Sequence, residues 1–381
     1  MKTLLFVLGV SLFSGSAFAE RHKLASVNAD SPDGKLLQQS LQENDPAKKL
    51  ELMNQYISQF ADKQEATEWV LSQMQPAYQK TGNYDKAIEV GEKLLAVDPD
   101  DLDAAYGNLK AAEAKKDPAA VLKWSAQTSQ IARKVMKSSK PPNGDPDEWK
   151  QAVDYATQVD TYTEYALYLA ALQSTDAATI MQMTETLEQR NPQSQYIPQL
   201  MEKYAAAARQ AKALPKAVEF GERAFARNQF NGDMLLAMAD YRMQQQQFDK
   251  ALTYSTKAVE LMTSQPKPEG VPDADWEKRK ASIIGLGNWM SGVTLSSQNK
   301  YASADKALRA ALPYIKDNDQ LMAQALFHLG LVNYKMGQTS KSKTQIADAV
   351  KFSTQSGAIK SPFQAQALKN VKVIKTEFKL Q

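Results

Sequence analysis

One helical phrase comes back along this chain. Lys86-Ala87-Ile88-Glu89-Val90-Gly91-Glu92-Lys93-Leu94-Leu95 returns as Lys216-Ala217-Val218-Glu219-Phe220-Gly221-Glu222-Arg223-Ala224-Phe225. Shorter variants stand at Asp249-Lys250-Ala251-Leu252 and Asp305-Lys306-Ala307-Leu308. A recurring amphipathic phrase predicts a repeat architecture, in which each copy buries its apolar face against the next. It also constrains function, because such arrays mostly serve as binding scaffolds.

The 381 residues suffice for two or three ordinary domains or one long solenoid. A formal net charge of +3 is too small to argue for nucleic acid or an anionic membrane surface. The chain has no Cys, which excludes disulfides, Cys-ligated zinc, a catalytic thiol and a lipid-modified N-terminal Cys. Lys2, the apolar run Leu4 to Phe13 and Ala17-Phe18-Ala19 together read as an export signal over residues 1–19, cleaved after Ala19. That run is well short of the ~20 residues a membrane span needs. A periplasmic or secreted product is expected, with no transmembrane segment after cleavage.

Residues 20–44 are polar and expected as a flexible leader, with a short helix at Leu36 to Leu41. From Asp45 onward helical periodicity dominates, and no alternating strand pattern appears. The helices fall in pairs with short breaks, such as Lys80-Thr81-Gly82-Asn83 and Lys335-Met336-Gly337-Gln338. Residues 68–101 carry Tyr78 in the first helix, Gly82 in the turn, Tyr84 opening the second helix and Ala87 at a tight-packing position. Asp98-Pro99 then ends the pair, since Pro cannot continue a helix. Residues 323–356 offer Leu329-Gly330, Tyr334, Gly337 and Ala349. In these positions the chain resembles tetratricopeptide-repeat proteins, whose 34-residue unit is a helix-turn-helix.

Further pairs at 198–231, 232–265 and 285–318 keep small residues seven apart: Ala217 and Ala224, Ala251 and Ala258, Ala304 and Ala311. Two turns on one face is where neighbouring helices approach closely. Pairs 102–135 and 161–194 are degenerate, the second with Ile180 and Leu187 in place of small residues. The resemblance covers most of residues 68–356. It implies an all-α, right-handed solenoid of stacked helix-turn-helix repeats.

A longer period sits above the 34-residue one. Ala87 and Ala217 lie 130 residues apart (217 − 87), and Trp149 and Trp276 lie 127 apart (276 − 149), each after a Pro/Gly-rich loop. This predicts a first repeat block at 45–194, a second at 195–318 and a last helix pair at 319–356. Ser361-Pro362 is expected to cap a closing helix over 361–379, with Lys369, Lys372, Lys375 and Lys379 among its apolar residues.

Chemistry-bearing patterns are missing. His22 lies in the leader and His328 within a helix of the last pair, so no His cluster exists for a metal. Gly285-Leu286-Gly287 follows a helix and lacks the third Gly of a dinucleotide fingerprint. Ser264-Gln265-Pro266-Lys267 fits a Ser-x-x-Lys pattern but falls in a Pro-rich loop. Scattered Asp and Glu read as solvated helix faces. No catalytic residue, cofactor or metal is expected, and the chain is not expected to be an enzyme.

The resemblance implies that the first helix of each pair lines a concave groove. Carried onto this chain, it nominates Trp69, Tyr106, Tyr162, Tyr165, Trp289, Phe327 and Tyr334 as groove residues for a protein or peptide partner. The bland reading of each is packing against a neighbouring helix. The paired Lys and Asn of carboxylate-gripping relatives have no match beyond Lys110, so a chaperone-tail clamp is not expected. An apolar extended segment or an amphipathic helix fits better. The leading expectation is a non-enzymatic interaction scaffold of the cell envelope. The alternative is an accessory or regulatory subunit of an envelope enzyme or transporter, docking through the basic C-terminal helix or the loops 137–147 and 264–274.

Overall fold

The computed structural model describes residue 22, residues 27–142 and residues 144–380. The expected signal peptide at 1–19 lies outside them. Among the described residues the chain is built of seventeen helices and no strand. They form two compact units, divided between Thr175 and Asp176.

The N-terminal unit runs α1 (Pro32–Gln42), α2 (Pro46–Gln59), α3 (Gln64–Lys80), α4 (Tyr84–Val97), α5 (Leu102–Ala114), α6 (Pro118–Met136) and α7 (Pro146–Gln173). Each helix packs on the next, and α3, α5 and α7 also touch one another in series. They are the first helices of their pairs. Sequence starts these helices locally. Asp101, Asp117 and Asp145 accept backbone N–H groups of the first turn, and α2, α6 and α7 open on Pro. The expected leader at 20–44 is in part ordered: α1 spans more than the helix expected at Leu36 to Leu41, because Ser31 caps it and Leu37 is buried.

The C-terminal unit runs α8 (Ala177–Arg190), α9 (Ile197–Gln210), α10 (Leu214–Ala226), α11 (Gly232–Gln244), α12 (Phe248–Ser264), α13 (Asp273–Ser297), α14 (Tyr301–Ile315), α15 (Asp319–Ser340), α16 (Lys343–Ala358) and α17 (Gln364–Glu377). Here α9, α11, α13 and α15 are first helices, and α17 packs on α16 and α15 in the place of the next one. The division at Thr175 places α8 with the second unit, ahead of the sequence boundary at 194.

Both sequence periods appear in the backbone. Turns inside the pairs place one residue in the left-handed region: Gly82, Lys116, Lys212 and Gln246, each with φ between 54 and 74°. The first two lie 34 residues apart (116 − 82), as do the last two (246 − 212), and the second pair follows the first by 130. The small residues Ala87, Ala217, Ala224, Ala251, Ala258, Ala304, Ala311 and Ala349 are all fully buried. Gly285-Leu286-Gly287 lies inside α13 and packs helices. A Cβ on Gly287 would stand 2.6 Å from Val259 Cγ2 and 3.0 Å from the Ser255 carbonyl.

Two expected boundaries move. The break expected at Lys335–Gln338 is helix, since α15 runs on to Ser340. Gly337 is buried there and lets Ile346 approach to 2.9 Å of where its Cβ would be; Lys341, at φ 57°, makes the turn instead. At the C-terminus a turn precedes the closing helix. Ser361 Oγ accepts from the Phe363 N–H at 3.3 Å, and α17 begins at Gln364.

Candidate protein-interaction surface

In the N-terminal unit, sequence-nominated aromatics meet across α5 and α7. Tyr106 and Tyr162 touch edge to face with ring centroids 5.4 Å apart, and Tyr162 and Tyr165 lie 5.8 Å apart. Tyr165 is 38% exposed, and Tyr106 and Tyr162 are half-buried. The Tyr162 hydroxyl accepts from Lys110 Nζ at 2.6 Å and donates to the Glu113 carboxylate at about 2.9–3.0 Å. The Lys110 ammonium also stands 4.6 Å from the Tyr162 ring centroid. Lys110, an isolated exception in the sequence pattern, is therefore one member of a polar cluster. Burial pushes the Tyr106 hydroxyl up to about 12, with the Glu113 charge adding to it. Both tyrosine hydroxyls are neutral at ordinary pH.

Helical geometry extends the cluster beyond the nominated residues. Tyr155 lies two turns before Tyr162, and its hydroxyl donates to Asp103 Oδ1 at 2.7 Å. Tyr168 continues the series, 6.3 Å from Tyr165. Spacings of seven, three and three along α7 could have marked this stripe in the sequence. Trp69 sits half-buried on α3, the other first helix touching α5. Its carbonyl accepts from Ser72 Oγ. Gln75 and Gln79 of α3 join the two helices, donating to the Ala104 and Gly107 carbonyls at 3.0 and 2.7 Å.

Of the nominated residues of the C-terminal unit, Trp289 is buried, and Phe327 and Tyr334 are half-buried. Trp289 is 9% exposed within α13. Phe327 stacks against Phe363 at 5.3 Å. Tyr334 meets Phe378 at 6.3 Å and donates to Glu377 of α17 at 2.5 Å. The closing segment thus contacts Phe327 and Tyr334.

Two carboxylates of this unit depart from the solvated-face expectation. Glu188 is 6% exposed and accepts from Arg223 at 2.7 Å and from Arg227. Burial alone would raise its carboxyl, but the two guanidinium groups outweigh that and hold it below the usual range. Glu222 accepts from Tyr254 at 2.8 Å, Lys250 at 3.1 Å and Arg242 at 3.0 Å. Each carboxylate is engaged by cations. Among the described residues no cluster of His, Asp and Glu suits a metal, and no helix is long and apolar enough to cross a membrane.

Stacked helix pairs with a 34-residue turn period define an all-α repeat solenoid. Residues 77–101 match the family model of the tetratricopeptide repeat. No curated protein matches the chain. Among solved structures, the crystal structure of the P58(IPK) TPR domain is 13% identical over 92% of this chain and 89% of its own, with a TM-score of 0.27. The APC/C hetero-tetramer Cut9-Hcn1 is 13% identical over 94% and 68%, with a TM-score of 0.34. Yeast Tom70 is 11% identical over 92% and 97%, with a TM-score of 0.24. The helix pairing and the match at 77–101 together make this chain an all-α array of tetratricopeptide-like repeats. Repeats of this kind support a role in protein–protein interaction.

Proposed function

We propose that the chain is a non-enzymatic scaffold, exported to the periplasm or beyond, that holds a partner segment on the first-helix face of its N-terminal unit. The observation that carries this reading is the Tyr106–Tyr162–Tyr165 cluster. Large aromatics with polar tips contribute contact area and hydrogen bonds together, and they are favoured anchors at interfaces. The export signal in the sequence supports the compartment, and a role in envelope assembly is an analogy from fold. A photo-crosslinking residue at position 165 tests the site against one at Val97, which is 49% exposed on a second helix. Partner adducts are expected at 165, and they should vanish when Tyr106→Ala and Tyr162→Ala are added. Equal labelling at 97 would overturn the reading.

A second reading keeps a specific observation. On α17, Leu368 and Val373 are 45% and 44% exposed beside the exposed Lys369 and Lys372. That mixed apolar and basic face supports docking of an accessory subunit at the C-terminus. Adducts confined to a crosslinker at position 373 would favour it.

A further inference from the structure

Charge divides the first helices of the two units. Those of the N-terminal unit, α3, α5 and α7, carry nine Asp and Glu against three Lys. Those of the C-terminal unit, α9, α11, α13 and α15, carry seven acidic and seven basic residues. The acidity therefore belongs to the helices that bear the tyrosines, although Asp160 of α7 turns away to Ser129 and Arg133 of α6.

A basic side chain from elsewhere in the chain already sits at the starts of α3 and α5. His22 Nε2 lies 2.8 Å from Asp101 Oδ2, and Nδ1 lies 3.9 Å from Glu68 Oε2. The imidazole is only 10% exposed, and the two carboxylates are 5% and 20% exposed. Asp101 caps α5 with its other oxygen, accepting from the Ala104 N–H at 3.0 Å, so its position is fixed by the helix start. In sequence His22 stands between Arg21 and Lys23. Further along α5 the Lys110 ammonium lies over the Tyr162 ring and against Glu113, 3.3 Å away. At two places, then, these helices bind a nitrogen base by carboxylate and, at one of them, by tyrosine ring.

We propose that the first-helix face of the N-terminal unit docks a cationic, extended segment of a partner protein, with a Lys or Arg taking the seat between Glu68 and Asp101 that His22 fills. His22 is the chain's own competitor for that seat. The inference rests on the reading of this face as the partner site and adds the chemistry of its occupant. Carboxylates spaced along parallel helices select for charge, and tyrosine rings accept the stems and ammonium heads of Lys and Arg.

The test is fluorescence anisotropy with two labelled peptides of equal length, one alternating Lys with Ala and Pro, the other carrying Glu in place of Lys. They are titrated into the full chain and into His22→Ala, Glu68→Gln and Asp101→Asn variants, the last of which keeps an N-cap acceptor at the start of α5. The Lys peptide is expected to bind, with affinity falling steeply as salt rises. Glu68→Gln and Asp101→Asn should each weaken it about 3–10-fold, and His22→Ala should tighten it about 3–10-fold. Circular dichroism of each variant shows that a loss is not unfolding. The proposal falls if the Glu peptide binds as well as the Lys peptide, or if His22→Ala leaves the dissociation constant unchanged. If an uncharged or acidic segment binds and Tyr106→Ala with Tyr162→Ala abolishes it, the partner-face reading stands and the cationic occupant does not.

Discussion

Gly91 of α4 lies directly against Asn108 of α5, and a Cβ on Gly91 would fall inside the envelope of the Asn108 and Gln75 amides. Those amides are buried and bonded to each other at 2.9 Å. Gly221 holds the same place in the second copy of the phrase, but its Cβ would meet the sulfurs of Met238 and Met234 at 2.7 and 3.0 Å. A thioether can rotate away, whereas a buried hydrogen-bonded amide pair cannot move without losing its partner. Helix propensity favours Ala over Gly by about 1 kcal/mol at both sites. Gly91→Ala is therefore expected to lower stability by about 1–3 kcal/mol, and Gly221→Ala to be close to neutral. Urea midpoints of the two variants, measured side by side, check this; equal shifts would contradict it.

Glu188 links α8 to α10 through two guanidinium groups, and removing it leaves Arg227 beside an empty acceptor position. Glu188→Ala should cost about 3 kcal/mol at neutral pH, toward the low end for a broken buried pair because Arg223 is half exposed. The folded carboxyl titrates below its unfolded value, so its contribution is present above the unfolded pKa and lost as pH falls through the folded one. The stability gap between the wild-type chain and Glu188→Ala should thus narrow under acid, below about pH 4.5. A gap that stays constant down to pH 3 would rule out a charged Glu188 as its source.

Period and small-residue spacing made the architecture legible. Ala87, Ala217 and Ala258 sit where neighbouring helices touch, and only small side chains fit there. Turn positions were less legible because Lys116, Lys212 and Gln246 adopt positive φ without the Gly that announces it at Gly82. Gly337 misled in the opposite direction: it serves helix packing, and the turn falls at Lys341. The interaction face was partly readable. Tyr106, Tyr162 and Tyr165 came from the repeat register, but the carboxylates that receive tyrosine hydroxyls, Asp103 and Glu113, have no pattern of their own. Seating His22 against Asp101 depends on a contact 79 residues away in sequence, which no local periodicity encodes.

Trp289 separates packing from binding. It is buried in α13, and its indole N–H has no hydrogen-bond partner among the described residues. Trp289→Ala should cost about 3–5 kcal/mol through lost burial and the cavity left behind. Trp289→Phe gives up area but also removes an unsatisfied donor, so it should cost under about 1.5 kcal/mol. Neither should alter crosslinking at position 165 while the chain is folded. A Trp289→Phe variant that is fully stable yet loses its partner would return this residue to the binding surface.

His328 gives the fold a pH dependence of its own. On α15 its Nδ1 lies 3.1 Å from Ser296 Oγ, and burial lowers its pKa to about 4. The unfolded chain carries the ordinary value near 6.5. Between these values the unfolded state binds the proton and the folded state does not, so stability falls as pH drops from 6.5 toward 4 and levels off below. A shift of this size corresponds to about 3 kcal/mol across that window. His328→Gln keeps a polar group within reach of Ser296 and removes the titration. The variant should lose less stability than the wild-type chain between pH 7 and pH 4.5, whatever its stability at pH 7. Thermal melts at half-unit pH steps measure the difference, and parallel curves for the two chains would show that His328 is protonated in the folded state.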